Sequence, residues 1–226
     1  AHIILDTLKP LRDWDIQWGN HDILWMGACA GNDACICNVL RIALRYANMY
    51  TIEEGYGINL VPLATFAMET YKDDPCSEFI PKMLGEDTLG DKQRYLYAQM
   101  HKAIAVIQFK LEAQIYHRNK SWNMEDRDLL SAIDFNNHTC CVEGKWYPMR
   151  SCHFPTIDPH SPITLTPEEQ TVMESLHHSF MISEKLRKHI RMILRHGCMY
   201  AVVNNNLLFH ASMPLNEDGT LRHVEI

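Results

Sequence analysis

The chain has 226 residues, enough for one large domain or two small ones with a real core. Its formal charge is -7 with no long single-sign run, which argues against a nucleic-acid binder, whose footprint is a basic patch. No apolar run approaches the ~20 residues of a membrane span, and residues 1–10 lack the long apolar core of a secretory leader.

Residues 1–9 read as a helix in progress, with Ile4, Leu5 and Leu8 at helical spacing and Pro10 to end it. There is no N-cap and no starting Met, so a piece of a longer protein is expected. Trp14, Ile16 and Trp18 alternate with Asp15 and Gln17, the period-two pattern of a strand with a buried face. Gly19 is expected to turn the chain where a Cβ would be strained, and a helix is expected over residues 23–30. Asn32 or Asp33 can cap a helix over residues 34–48, whose positions Ile36, Val39, Leu40, Ala43, Leu44 and Ala47 form an apolar face. Residues 53–59 read as a glycine-containing loop, too short and acidic for a phosphate cradle. Residues 60–70 form a helix begun near Pro62, and residues 72–94 read as loop.

A long helix is expected over residues 95–117, its stripe of Ala103, Ile104, Ile107, Leu111 and Ile115 serving as core and its His101 as a satisfied structural histidine. A short helix near residues 125–133 and a small hairpin through 140–147 around Glu143-Gly144 follow. Pro155, Pro159 and Pro162 mark an extended surface stretch. Thr166-Pro167-Glu168-Glu169 opens a helix to about Phe180, and Ser183 caps the next, with Leu186, Ile190, Ile193 and Leu194 inside and Gly197 as its stop. Residues 198–203 and 207–211 read as strands joined by Asn204-Asn205-Asn206. Strands thus lie at both ends of the chain, able to share one sheet, with a helical block of residues 31–197 between segments 1–30 and 198–226.

The eight cysteines contain no C-x-x-C pair, so a zinc ribbon is not expected. Without a secretory signal they read as reduced thiols of a cytosolic protein.

The chemistry concentrates in Gly19-Asn20-His21-Asp22, placed directly after a buried strand, where α/β sheets present reactive groups. An Asn side-chain oxygen is a neutral hard ligand suited to Mn²⁺, Mg²⁺ or Zn²⁺. A neighbouring imidazole can donate a proton to a leaving oxygen, and an adjacent carboxylate can hold that ring in one tautomer.

This run resembles the Gly-Asn-His-Asp/Glu motif of the calcineurin-like metallophosphoesterases. Asn206-Leu207-Leu208-Phe209-His210-Ala211 resembles the strand-end histidine of the same superfamily, followed here by Ser212 and Pro214. Longer runs narrow the likeness. Residues 15–28, Glu54-Gly55-Tyr56-Gly57-Ile58-Asn59-Leu60, residues 100–112, Phe154-Pro155-Thr156-Ile157-Asp158-Pro159 and residues 213–219 are similar to the class III fructose-1,6-bisphosphatases of Firmicutes and relatives. The resemblance implies an α/β fold: part of a metallophosphoesterase β-sandwich core carrying a large, mainly α-helical insertion. It implies a metal-dependent phosphoric monoester hydrolase that removes the 1-phosphate of fructose 1,6-bisphosphate in gluconeogenesis, using a two-metal Mn²⁺ site. By that likeness Asn20 and His210 are metal ligands, His21 stabilises or protonates the departing sugar oxygen, and Asp22 orients His21.

The superfamily's upstream Asp-x-His and Gly-Asp-x-x-Asp-Arg motifs have no counterpart before Gly19, and its last His motif has none after Ser212. Asp158-Pro159-His160 and Gly90-Asp91-Lys92-Gln93-Arg94 spell partial versions at the wrong places. The chain is therefore expected to hold an incomplete Mn²⁺ site and to be weak or inactive without the rest of the full-length chain. Arg41, Arg45 and Tyr56 are candidate contacts to the sugar bisphosphate. The cationic residues of the last helix, Lys185 to Arg195, could serve the second phosphate but read first as a solvated face. Two alternatives remain open: a non-catalytic helical oligomerisation or regulatory module, which would make a homo-oligomer, and a metallophosphatase acting on phosphoproteins or dinucleotides.

Overall fold

A computed structural model describes residues 2–82 and 89–223. Helix dominates it. The central element is α5 (Asp91–Arg118), which starts four residues before Tyr95 because Gly90 supplies an extended N-cap. Part of the expected loop at 72–94, residues 83–88, lies outside the described residues. From Ala98 to Gln108 α5 is buried on every side, the signature of a helix inside a core rather than on it. Its polar members are all matched. Gln99 Nε2 donates to the Tyr71 carbonyl at 2.9 Å, His101 Nδ1 meets the Phe79 carbonyl at 2.9 Å, and Lys110 Nζ lies 2.7 Å from Glu169 Oε2. His101 is thus a satisfied core histidine.

Around α5 pack α1 (His2–Leu8), α2 (Asn20–Cys29), α3 (Asp33–Arg45), α4 (Val61–Thr70), α6 (Pro167–Ile182) and α7 (Glu184–His196), with α3 and α4 directly against it. The apolar face expected for α3 is the one buried, and Asn32 Oδ1 accepts the Cys35 N–H at 3.0 Å as its cap. α3 stops at Arg45 rather than residue 48, because Ala47 adopts a left-handed φ of 53°. The Thr166/Glu169 box and the Ser183 cap open α6 and α7 as expected. Leu194, expected inside, is half exposed.

Two local expectations fail for one reason: tertiary packing overrides local signals. Residues 51–55 wind into a π-helical turn instead of opening a loop, and Gly55 lies against the His2 imidazole where no Cβ would fit. Only a 3₁₀ turn, Glu125–Arg127, forms where a short helix was expected. Ile133 and Asp134 are drawn off as strand β2, which pairs with β3 (Thr139–Val142) of the β3–β4 (Lys145–Pro148) hairpin. The turn at Glu143 and Gly144 has positive φ at both residues, as tight hairpins require.

The chain's two ends do meet. β1 (Ile16–Gln17) pairs in parallel with β5 (Gly197–Cys198), Ile16 opposite Gly197 and Gln17 opposite Cys198. Gly197 is extended rather than left-handed, so it enters a strand instead of merely stopping a helix. A Cβ there would overlap the Trp18 indole nitrogen and the Ile193 carbonyl. β6 (Tyr200–Val203) and β7 (Asn206–Phe209) form a separate hairpin turned at Asn204 and Asn205, both left-handed. The described strands make a two-stranded, a three-stranded and a second two-stranded sheet. A β-sandwich is not assembled among the described residues. No described helix is long and apolar enough to cross a membrane, and all eight cysteines are free.

Candidate active site

The β1–β5 pair fixes where Gly19 sits. The Trp18 N–H donates to the Cys198 carbonyl at 2.9 Å, and the Trp18 Nε1–H to the Ile193 carbonyl at 3.0 Å, clamping the strand end to α7 and β5. Gly19 follows, buried, with φ −93° and ψ 172°. Any residue can adopt that conformation, so the expected reason for a glycine here is wrong. The reason is close approach. A Cβ on Gly19 would stand 2.7 Å from His210 Nε2 and 2.8 Å from Cε1. The imidazole that ends β7 lies flat against the Gly19 backbone, so residues distant in sequence converge at one point.

Gly19 is also the N-cap of α2, which begins at Asn20 rather than Ile23. Asn20, His21 and Asp22 are therefore the first turn of a helix and not a loop after a strand. A helix fans successive side chains about 100° apart, so the three cannot face one point. Asn20, exposed, shares an open hollow of about 470 Å³ with Gly19, Ile23, Met199, His210 and Ser212. His21 is exposed on the same turn but does not line that hollow. Asp22 points elsewhere: its Oδ2 accepts the Gly19 N–H at 2.8 Å. This bond satisfies a backbone donor that would otherwise be orphaned. Asp22 thus fixes the turn that carries Asn20 and His21 instead of holding the His21 ring. Asp22 also borders a small, mostly apolar cavity of about 190 Å³, with Trp25 and Ile16.

The three candidate substrate residues are not in the hollow. Arg41 Nε donates to Gln108 Oε1 at 2.7 Å, and burial lowers its pKa. Arg45 ends α3, and its carbonyl accepts the Lys82 N–H at 2.7 Å. Tyr56 is a core residue, 7% exposed, with Trp25 5.2 Å away ring to ring and its hydroxyl 3.3 Å from His189 Nδ1. Burial first, then the Asp6 carboxylate, pushes its phenol up to about 12. Asp158 and Gly90-Asp91 are likewise structural: Asp158 Oδ1 accepts the His160 N–H in a turn, and Gly90 caps α5. Met199 and Ser212 also line the hollow, and neither was expected as a site residue. Ser212 carries a faint signal, two residues past the strand-end histidine.

The donors gathered here suit a hard or borderline divalent cation: an amide oxygen and an imidazole. Neither ligand type brings a negative charge, and no group of three or more His, Cys, Asp or Glu able to hold a metal exists among the described residues. Carboxylates from elsewhere would have to complete such a site.

The model of the family described as Firmicute fructose-1,6-bisphosphatase matches residues 1–226. The chain belongs to that family. Among its relatives, the class 3 fructose-1,6-bisphosphatases of Bacteroides fragilis and Bacteroides thetaiotaomicron are each 57% identical over 227 residues. That of Clostridium novyi is 52% identical over 226 residues. Each alignment covers 100% of this chain and 34% of the relative. The chain thus spans about a third of the length of these members of the family. No solved structure matches it.

Proposed function

We propose that this chain is the part of a fructose-1,6-bisphosphatase that supplies one side of a two-metal phosphatase site. The observation that carries the reading is the seating of the His210 ring on Gly19 beside Asn20. Asn20 Oδ1 and a His210 ring nitrogen would hold one Mn²⁺, with the remaining ligands from the rest of the polypeptide. Bound metals would supply Lewis-acid activation of water and of the phosphate oxygens.

The chain's own residues do the rest. The buried cap from Asp22 to Gly19 fixes the first turn of α2 before substrate arrives, which spares reorganisation during the reaction. In this reading His21, exposed on the same turn though outside the hollow, would give a proton to the C1 oxygen of the sugar as the bond from phosphorus to that oxygen breaks. The oxygen of a water forms the new bond to phosphorus, and the products are the sugar monophosphate and inorganic phosphate. Arg41 and Tyr56 take no part in this reading, being bonded to Gln108 and His189, and Arg45 does not line the hollow.

The test uses the full-length protein that carries this segment. Asn20→Ala and His210→Ala should each lower bound Mn²⁺ per chain and cut turnover at least about 100-fold. His21→Gln should keep its Mn²⁺ and lose about 10²–10⁴-fold in kcat, the usual range for a general acid. Wild-type Mn²⁺ content and turnover in both Asn20→Ala and His210→Ala would end this reading.

A further inference from the structure

A second feature faces the opposite end of the β1–β5 pair. An open groove of about 920 Å³ runs between α1 and α7, within the size range of small-molecule sites. Five cationic side chains line it, Lys9, Lys185, Lys188, Arg191 and Arg195, against the carboxylates of Asp6 and Glu184. In a chain of net charge -7 this is a local reversal of sign.

The ion pairs decide how much of that charge is free. Lys185 Nζ lies 3.0 Å from Asp6 Oδ2, and Lys188 Nζ 3.4 Å from Glu184 Oε2. Lys9, Arg191 and Arg195 pair with no carboxylate among the described residues. Arg191 and Arg195 stand four residues apart on one exposed face of α7, a spacing that sets them side by side on a helix, and both line the groove. Guanidinium groups bind phosphate oxygens in bidentate fashion, and two adjacent ones suit two linked phosphoryl groups.

The groove is closed at one end by a stack of Trp14 on His196, ring centroids 4.4 Å apart and planes 15° apart. Trp14 precedes β1 and His196 precedes β5, so this stack marks the N-terminal ends of the two parallel strands. The Gly19–His210 hollow lies at their C-terminal ends. Four residues separate Trp14 from Gly19, and the groove and the hollow share no lining residue.

We infer that the α1–α7 groove binds a small anion with two or more linked phosphoryl groups, held by Arg191, Arg195 and Lys9. A solvated helix face would not need the matching cation Lys9 just past α1 or the walled shape. The charge left after the internal pairs corresponds to the charge of such an anion rather than that of a single carboxylate.

The probe is inorganic pyrophosphate, titrated calorimetrically into the full-length protein in metal-free buffer. An Asn20→Ala/His210→Ala background removes the hollow's ligands and should leave one pyrophosphate bound per chain. Adding Arg191→Gln and Arg195→Gln should weaken that binding at least tenfold. On the unaltered protein, pyrophosphate should protect Lys9 and Lys188 from acetylation, read by peptide mass spectrometry, and leave the exposed Lys72 reactive. The inference is overturned if binding disappears with Asn20 and His210, if the two glutamines do not change it, or if Lys9 and Lys188 gain no protection. Should the glutamine variant misfold, the lysine protection decides alone. Lysines already shielded without pyrophosphate would mean that another part of the polypeptide fills the groove, which also overturns it.

Discussion

Replacing Gly19 by Ala separates two roles of one residue. Its φ of −93° and ψ of 172° suit alanine, so the backbone stores no strain after the change. Alanine is a poorer N-cap than glycine, a loss of about 0.5–1 kcal/mol. The main effect is steric. The new Cβ would stand 2.7 Å from His210 Nε2, where ordinary packing begins at 3.4 Å. The ring must retreat by about 0.7 Å or swing away, since the backbone of Gly19 is held by Trp18 and Asp22. Misplacing a reacting group by ~1 Å costs on the order of 100-fold. Gly19→Ala should therefore lower fructose 1,6-bisphosphate turnover by between about 10-fold and about 100-fold in the full-length protein, with a drop in Tm of only a few degrees. Steady-state phosphate release and thermal melting read the two effects. Gly90→Ala is the control: it is also an N-cap, with nothing described within 4 Å of the added Cβ, and should leave turnover unchanged. Wild-type kcat and Mn²⁺ content in Gly19→Ala would refute the link between ring position and chemistry.

Two stability predictions follow from the core. Lys110 and Glu169 form a buried pair, 0% and 1% exposed, and Lys110→Met leaves the carboxylate without its partner. Loss of one side of such a pair costs about 3–5 kcal/mol, so urea denaturation should show a drop of that size. Adding Glu169→Leu should recover only part, because Glu169 also accepts the Thr166 N–H at 2.9 Å; a single-variant cost under about 1 kcal/mol would contradict the pairing. The second concerns acid. Burial alone would raise the Asp74 pKa, but bonds from Lys102 Nζ, His153 Nδ1 and the Cys76 N–H outweigh it and hold the carboxyl well below its usual 3.8. A depressed folded pKa gives stability that is present above the unfolded pKa and lost as pH falls through the folded one. Asp74→Asn should therefore flatten the loss of stability below about pH 4, and an unchanged acid limb in chemical denaturation would show that Asp74 does not carry it.

The sequence by itself determined most of the helical part. Capping signals at Asn32, Thr166 and Ser183, the apolar period of residues 36–44 and the Asn-rich turn at 204–205 are local physics, and each forms as its residues dictate. That Asn20 and a histidine near the far end lie together was expected from the family resemblance, not from any local pattern, and both line the one hollow. Only tertiary structure decided which of the neighbouring polar groups face the hollow. Starting α2 at Asn20 turns Asp22 back to Gly19, and helix geometry then separates side chains that adjacency in sequence had grouped. Arg41 and Tyr56 were drawn into the core by Gln108 and His189, partners 67 and 133 residues away. The need for glycine at position 19 likewise comes from a ring brought in by β7, and no local pattern encodes so distant a neighbour.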